Sequence, residues 1–163
     1  MRRLTARRLT TVAAVGGILA LASCASAPAV DLDAAREWVE GVQADESDGP
    51  GSAGSAALLV DPTAGADDEA GSVSLDFPAD ATLTRADASC FGGGTVEVGI
   101  TVFTTTGDAT SSDSVGEEIA CDQTWHEIGL DGQVGSSARI EVRGDTSTYA
   151  YVRLIQELSI SYD

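Results

Sequence analysis

The segment CDQTWHEI, residues 121–128, is the densest group of side chains in the sequence that are suited to binding or reaction. Alternate side chains of an extended strand lie on the same face, so Trp125 and Glu127 are expected to share one face and His126 and Ile128 the other. An exposed aromatic ring beside a carboxylate is typical of a surface that binds sugars. Large aromatic side chains mostly pack in protein cores, so a Trp125 in the core, or one that covers an edge of the sandwich, is the favoured alternative. Trp125 and Glu127 are therefore candidate ligand-binding residues.

A second candidate surface lies near the C-terminus, where Tyr149 and Tyr151 alternate with Ala150 and Val152. The alternation predicts that the two tyrosines lie together with Arg153 on the face opposite the apolar side chains. Such a row either binds a ligand or covers a sheet with side chains that are apolar along their length and polar at their tips. Both interpretations of Tyr149 and Tyr151 stay open.

No pattern in the sequence indicates catalysis. Nucleophilic catalysis needs an activated Ser, Cys or Thr within reach of a base, and His126 is the only histidine. The G-x-S-x-G motif is absent from the sequence. Glycosidases need two carboxylates at a set separation, but with 26 acidic residues such pairs arise by chance. We predict a protein that is not an enzyme, with no catalytic residue. A polysaccharide hydrolase that uses paired carboxylates is the alternative.

Cofactor and metal motifs are also lacking in the sequence. The acidic segment 61–71 does not follow the spacing of a calcium-binding loop. A single histidine gives little support for a zinc site. The three glycines at 92–94 lack the lysine and the following helix of a phosphate-binding loop. We predict no cofactor and no metal ligands, and calcium binding is left without a supporting motif.

The N-terminus has the features of a secretory signal. Four arginines and no acid precede an apolar run from Thr11 to Leu21. That run is too short for a membrane span, which needs about 20 residues. A basic start, a short apolar run and small residues after it are typical of a signal peptide. The paired arginines leave both the general and the twin-arginine export routes open.

The apolar run ends in Leu21-Ala22-Ser23-Cys24, which resembles the lipobox of bacterial lipoproteins. The resemblance implies that residues 1–23 are removed and that Cys24 carries a diacylglyceryl group as the mature N-terminus. It therefore implies a protein anchored by lipid on the outer face of the cytoplasmic membrane, because two acyl chains suffice for stable anchoring. A plain secretory signal with an incidental Cys24 is the alternative.

The charge of the chain limits its partners. The formal net charge is −17, there is no lysine, and every acidic residue follows position 30. Such a chain repels phosphate backbones, which argues against nucleic acid as a partner. It also repels anionic lipid headgroups, so lipid at Cys24 would supply the membrane attachment. The expected partners are the membrane, through that lipid, and a cell-wall glycan or another envelope protein.

Cys90 and Cys121 remain once Cys24 is assigned to lipid. Two cysteines in an exported chain most often form a disulfide, so we predict a Cys90–Cys121 bond. A metal or redox pair is the alternative, but neither cysteine lies in a C-x-x-C motif.

Hydrophobic periodicity predicts one helix followed by short strands. Leu32, Ala35, Val39 and Val42 form a helical stripe, with Asp31 as N-cap. The predicted strands cover residues 56–60, 72–77, 82–90, 95–104, 117–121, 124–130, 138–142 and 147–161. They predict a mainly β protein, an antiparallel β-sandwich of jelly-roll or immunoglobulin-like type with one N-terminal helix. A small barrel is the alternative. The predicted divisions are a signal peptide at 1–23, a tether at 24–30, a helix with a Gly/Ser-rich linker at 31–56, and the sandwich at 57–163.

The chain as a whole resembles small secreted lipoproteins of high-GC Gram-positive (actinobacterial) type. The resemblance rests on the lipobox, the acidic lysine-free body, and the cysteine segments SCFGGGTVEV and IACDQTW. It implies no particular activity or site. Together with the absence of catalytic motifs, it favours a binding or interaction module of the cell envelope.

Overall fold

The computed structural model describes residues 29–45, 51–63 and 71–158. The elements in chain order are α1 (Leu32–Asp45), β1 (Ser52–Val60), β2 (Ser72–Cys90), β3 (Thr95–Thr106), β4 (Ala109–Ala120), β5 (His126–Gly144) and β6 (Thr148–Gln156). Cys24, the predicted signal peptide and most of the predicted tether lie outside the described residues. In the part of the chain that is described, no helix combines the length and apolarity needed to cross a membrane.

Helix α1 starts where the sequence predicts it. The Asp31 carboxylate accepts hydrogen bonds from the backbone N–H groups of Asp33 and Ala34, at 3.1 and 3.2 Å. These bonds satisfy amides that the first turn of a helix leaves without partners. Ala35 and Val39 of the predicted stripe are buried, and α1 packs on β6. The helix is therefore part of the folded domain.

The six strands form one antiparallel sheet in the order β1-β6-β2-β5-β3-β4. Residues 72–76 of β2 pair with residues 137–141 of β5, and residues 81–88 of β2 pair with residues 126–135 of β5. The two long strands thus form a bent ribbon that is shared by two layers. The front layer consists of β1, β6 and the halves 81–90 and 126–135. The back layer consists of the halves 72–76 and 137–144 with β3 and β4.

The two layers face each other, which confirms the predicted sandwich-like antiparallel β fold with one helix. Strand β1 contacts β2 and β5 although it is hydrogen-bonded to neither. A Cβ atom built on Gly144 of the back layer would lie 3.4 Å from the Val60 side chain of the front layer. Twenty-two buried residues, almost all aliphatic, fill the space between the layers.

The bend in the ribbon explains why the sequence predicts separate strands on either side of it. Pairing is irregular between Asp76 and Ala81, where Pro78 has no N–H to donate. A second irregularity lies between Leu83 and Arg85 of β2, opposite the part of β5 where Asp131 and Gly132 adopt φ angles of 51° and 74°. An irregularity of this kind bends a strand without ending it.

The predicted disulfide is confirmed, and it joins the two layers. Cys90 ends β2 in the front layer, and Cys121 directly follows β4 in the back layer. Backbone hydrogen bonds reinforce this junction: Cys121 N–H donates to the Gly94 carbonyl at 3.0 Å, and Gln123 N–H donates to the Cys90 carbonyl at 3.0 Å. The bond therefore fixes the loops that precede β3 and β5.

The starts of two strands and the end of a third differ from the prediction. Strand β1 begins at Ser52, inside the segment predicted as a Gly/Ser-rich linker. Strand β4 begins at Ala109, before the strand predicted at 117–121. Both are edge strands, and most β4 side chains are exposed on both faces, so neither strand requires the full apolar alternation that identifies a half-buried strand. Strand β6 ends at Gln156, inside the strand predicted at 147–161, and Leu158 after it is exposed.

Candidate functional site

The candidate ligand-binding residues lie on the outer face of the front layer. Asp87 in β2 is directly opposite Glu127 in β5 on one side and opposite Arg153 in β6 on the other. Trp125 directly precedes β5, and Arg85 lies two residues before Asp87 in β2. We call these five residues the Trp125 patch.

Asp87 is the anchor of the Trp125 patch. It is 5% exposed, and both of its carboxylate oxygens are engaged. Arg85 Nε donates to Oδ1 at 3.0 Å, and Arg153 Nε donates to Oδ2 at 2.9 Å, with Arg153 Nη2 2.8 Å from the same oxygen. Charge-assisted hydrogen bonds are among the strongest in proteins. Asp87 therefore holds both guanidinium groups in fixed positions.

Trp125 is 44% exposed, so the core position is wrong, and the position at an edge of the sandwich is the part of that alternative that the structure keeps. The residue lies just outside β5, at the margin of the layer, where the sheet does not bury it. The Arg153 guanidinium carbon is 4.7 Å from the centroid of the indole ring, and the Tyr151 ring meets the indole edge-on at 6.0 Å. Both contacts are favourable for aromatic rings. The indole is thus held in place while nearly half of its surface faces solvent.

Glu127 and Arg85 form the exposed polar part of the patch. The Glu127 side chain is 67% exposed and the Arg85 side chain 43% exposed, and their charged groups are 3.6 Å apart. An exposed ion pair of this kind contributes little to stability. Both groups are therefore available to exchange this contact for hydrogen bonds to a ligand.

The two tyrosines do not form an exposed strip. Tyr151 is 2% exposed, and Tyr149 is partly buried beside α1. Arg36 of the helix donates a hydrogen bond from Nε to the Tyr149 hydroxyl at 3.3 Å. Of the two interpretations that the sequence left open, the structure shows the covering one, in which Tyr149 supports α1 and Tyr151 supports Trp125.

Sequence reasoning missed three residues of this surface, namely Arg85, Asp87 and Ser89. They alternate with the buried Ala86 and Ala88, and this period of two was the available signal. Ser89 is 2% exposed, lies opposite Tyr151 on β6, and its Oγ has no hydrogen-bond partner among the described residues. Its hydroxyl is a buried polar atom at the base of the patch.

His126 takes part in a capped loop rather than a catalytic triad. The Asp122 carboxylate accepts hydrogen bonds from Thr124 Oγ1 at 2.6 Å and from Thr124 N–H at 3.0 Å. These bonds, together with His126, hold the pKa of Asp122 below its usual value, with the Thr124 hydroxyl as the largest cause. Asp122 and Thr124 both contact Nε2 of His126, at 3.4 Å each, whereas a triad places the acid and the nucleophile on opposite ring nitrogens.

Within residues 29–45, 51–63 and 71–158, no three His, Cys, Asp or Glu side chains are grouped so that they would hold a metal ion. Comparison of the chain with protein-family models, curated proteins and solved structures finds no match. The interpretation of the site therefore rests on its own geometry.

Proposed function

We propose that this protein is a non-enzymatic binding module of the cell envelope, held on the outer face of the cytoplasmic membrane by lipid on Cys24. The lipobox-like end of the signal peptide supports the anchor. The Trp125 patch supports binding, and the observation that carries it is the half-exposed indole fixed by Arg153 and Tyr151. A ring that is already held loses little conformational freedom when a partner binds.

The alternative function is an envelope polysaccharide hydrolase that uses paired carboxylates. Its best candidate pair is Asp87 and Glu127, which lie directly opposite each other on adjacent strands. However, both Asp87 oxygens accept hydrogen bonds from arginines, and this favours a structural role for the carboxylate over nucleophilic or general-base chemistry. The geometry of the pair thus supports binding better than hydrolysis.

The membrane anchor is tested by Cys24→Ser. We expect the variant to leave the membrane fraction, or to remain unprocessed, when cells are fractionated. A variant that is processed normally and still sediments with the membrane would contradict the lipid anchor.

The binding surface is tested by photo-cross-linking in isolated envelopes. A benzoylphenylalanine in place of the exposed Gly129, which pairs with Arg85 and where an added Cβ meets no atom within 4 Å, should cross-link to an envelope component, and Trp125→Ala should abolish that product. Glu118, an exposed residue on the outer face of the back layer opposite Glu97, is the matched control position. Equal cross-linking from positions 129 and 118 would contradict the proposal.

A further inference from the structure

The Trp125 patch also indicates a class of ligand. We infer that it binds a neutral saccharide, with one sugar ring stacked on the exposed part of Trp125. This inference rests on the proposed binding function and names the ligand of the same surface. Four features of the patch support it: the held ring, the polar groups beside it, the local charge and the small apolar area.

The indole of Trp125 suits the apolar C–H face of a sugar ring. Its position is set by the Arg153 guanidinium over the ring and by the Tyr151 ring at 73° to it, at 4.7 and 6.0 Å from the indole centroid. Tyr151 is itself buried, so its ring supports Trp125 from a fixed position. Stacking on a ring held this way costs little side-chain entropy.

The groups beside the ring suit hydroxyls. Glu127 follows Trp125 by two residues on the same face, and its exposed carboxylate accepts hydrogen bonds. Arg85, on the neighbouring strand, donates them. Each sugar hydroxyl both donates and accepts, so one ligand satisfies both side chains.

Ser89 adds a separate observation at the base of the patch. It is the next residue of β2 on the same face as Asp87, and it is buried with an Oγ that the described residues leave without a hydrogen bond. Native proteins leave few such atoms unsatisfied. The hydroxyl is closed to solvent, so it lies beneath the surface on which the sugar ring stacks and does not itself contact the ligand.

Charge and area favour a neutral saccharide over other partners. The patch contains two arginines and two acids, so it offers a polyanion no net electrostatic attraction. The chain as a whole has a net charge of −17 and repels a polyanion. A stable protein interface buries about 800 Å² per partner around an apolar centre. Here a single exposed indole is bordered by charged side chains, which matches one sugar ring better than a protein surface.

The test is a fluorescence titration of the lipidated chain in micelles of a detergent without a sugar headgroup. Because the sequence has two tryptophans, Trp38→Phe leaves Trp125 as the only one. The probes are the tetrasaccharides of N-acetylglucosamine and of glucose. We expect a saturable change in Trp125 emission with at least one of them. Glu127→Ala should weaken binding at least tenfold, whereas Glu118→Ala should leave it unchanged.

Each outcome decides the inference. Emission that changes with neither tetrasaccharide overturns it, as does binding that Glu127→Ala leaves intact. Glu127 is exposed, so its variant is expected to fold, and an unchanged melting temperature verifies this. If both saccharides fail but cross-links from position 129 to an envelope protein persist, the saccharide inference falls and the binding module stands. If the cross-links are absent as well, both fall.

Discussion

Asp87→Asn should destabilise the protein more than loss of any exposed ion pair, because Asp87 is the buried centre of the Trp125 patch. Its carboxylate receives two hydrogen bonds and a third close contact from Arg85 and Arg153, at 2.8–3.0 Å. A hydrogen bond to a charged group contributes about 1.5–3 kcal/mol. Asparagine keeps one acceptor oxygen, and water reaches both partly exposed arginines. We therefore expect a loss of about 2 kcal/mol in the free energy of unfolding, at the lower end of that range.

The assay is thermal unfolding followed by circular dichroism, at low salt and in 1 M NaCl. For a domain of this size, about 2 kcal/mol corresponds to a fall in melting temperature of roughly 8 °C. Salt should change this difference little, because a buried pair is poorly screened. Near-ultraviolet circular dichroism should also weaken, since Arg153 no longer holds the Trp125 ring.

Glu141→Gln is the matched control. Glu141 is an acid that also bridges two arginines, with its oxygens 3.0 Å from Arg139 Nε and 3.0 Å from Arg143 Nη2, but all three side chains are partly or fully exposed. Glu141→Gln should lower the free energy of unfolding by less than about 1 kcal/mol, and by less still in 1 M NaCl. If Asp87→Asn costs no more than Glu141→Gln, or if salt removes its effect, Asp87 is not the anchor of the patch.

Three further predictions concern the framework around the patch. Cys121→Ala should lower the free energy of unfolding by about 3–4 kcal/mol in denaturant titrations, because the bond closes a long loop; an effect below 1 kcal/mol would contradict its role in joining the layers. Gly135→Ala should cost about 1–3 kcal/mol, because its Cβ would lie 2.4 Å from Val102 Cγ1, and an unchanged melting temperature would refute this packing of the bend. The pKa of the Asp122 carboxyl, measured by NMR, should lie below 3.8, and Thr124→Val should raise it. Because the pKa is lowered in the folded state, the ionised carboxylate stabilises the fold above its ordinary pKa, and this stabilisation is lost as the pH falls through the lowered pKa. An unchanged pKa in Thr124→Val would contradict the assigned cause.

The helix and the central strands were predictable because their burial is one-sided. In β3, Val96, Val98, Ile100 and Val102 are all buried, as their alternation predicts. In edge strand β4 only the end, from residue 117, was predicted, because the side chains before it are almost all exposed. The continuity of β2 and β5 through the bend was hidden for another reason. Pro78 is a local signal that a strand ends, whereas the strands continue through the bend because β2 pairs with β5, which is distant in sequence.

The candidate site was predictable only in part. Trp125 stands out because tryptophan is rare in this sequence, and Glu127 stands out because it is charged; both lie close to Cys121. Asp87 does not stand out, since it is one of 26 acids and its importance comes from the two strands that bring Arg85 and Arg153 to it. Tyr151 was placed on the correct face, but its burial depends on neighbours such as Trp125 that only the folded sheet brings to it.

The central claim is that the Trp125 patch binds a neutral saccharide, and backbone and indole NMR shifts of the chain during titration with the tetrasaccharides of N-acetylglucosamine and of glucose test it most directly. The account predicts saturable shifts at the Trp125 indole N–H, Glu127 and Arg85 with at least one of the two. It predicts none at Gly99 and Gly116, which pair with each other in the back layer. Shifts confined to the back layer, or no shifts while the protein stays folded, would contradict it.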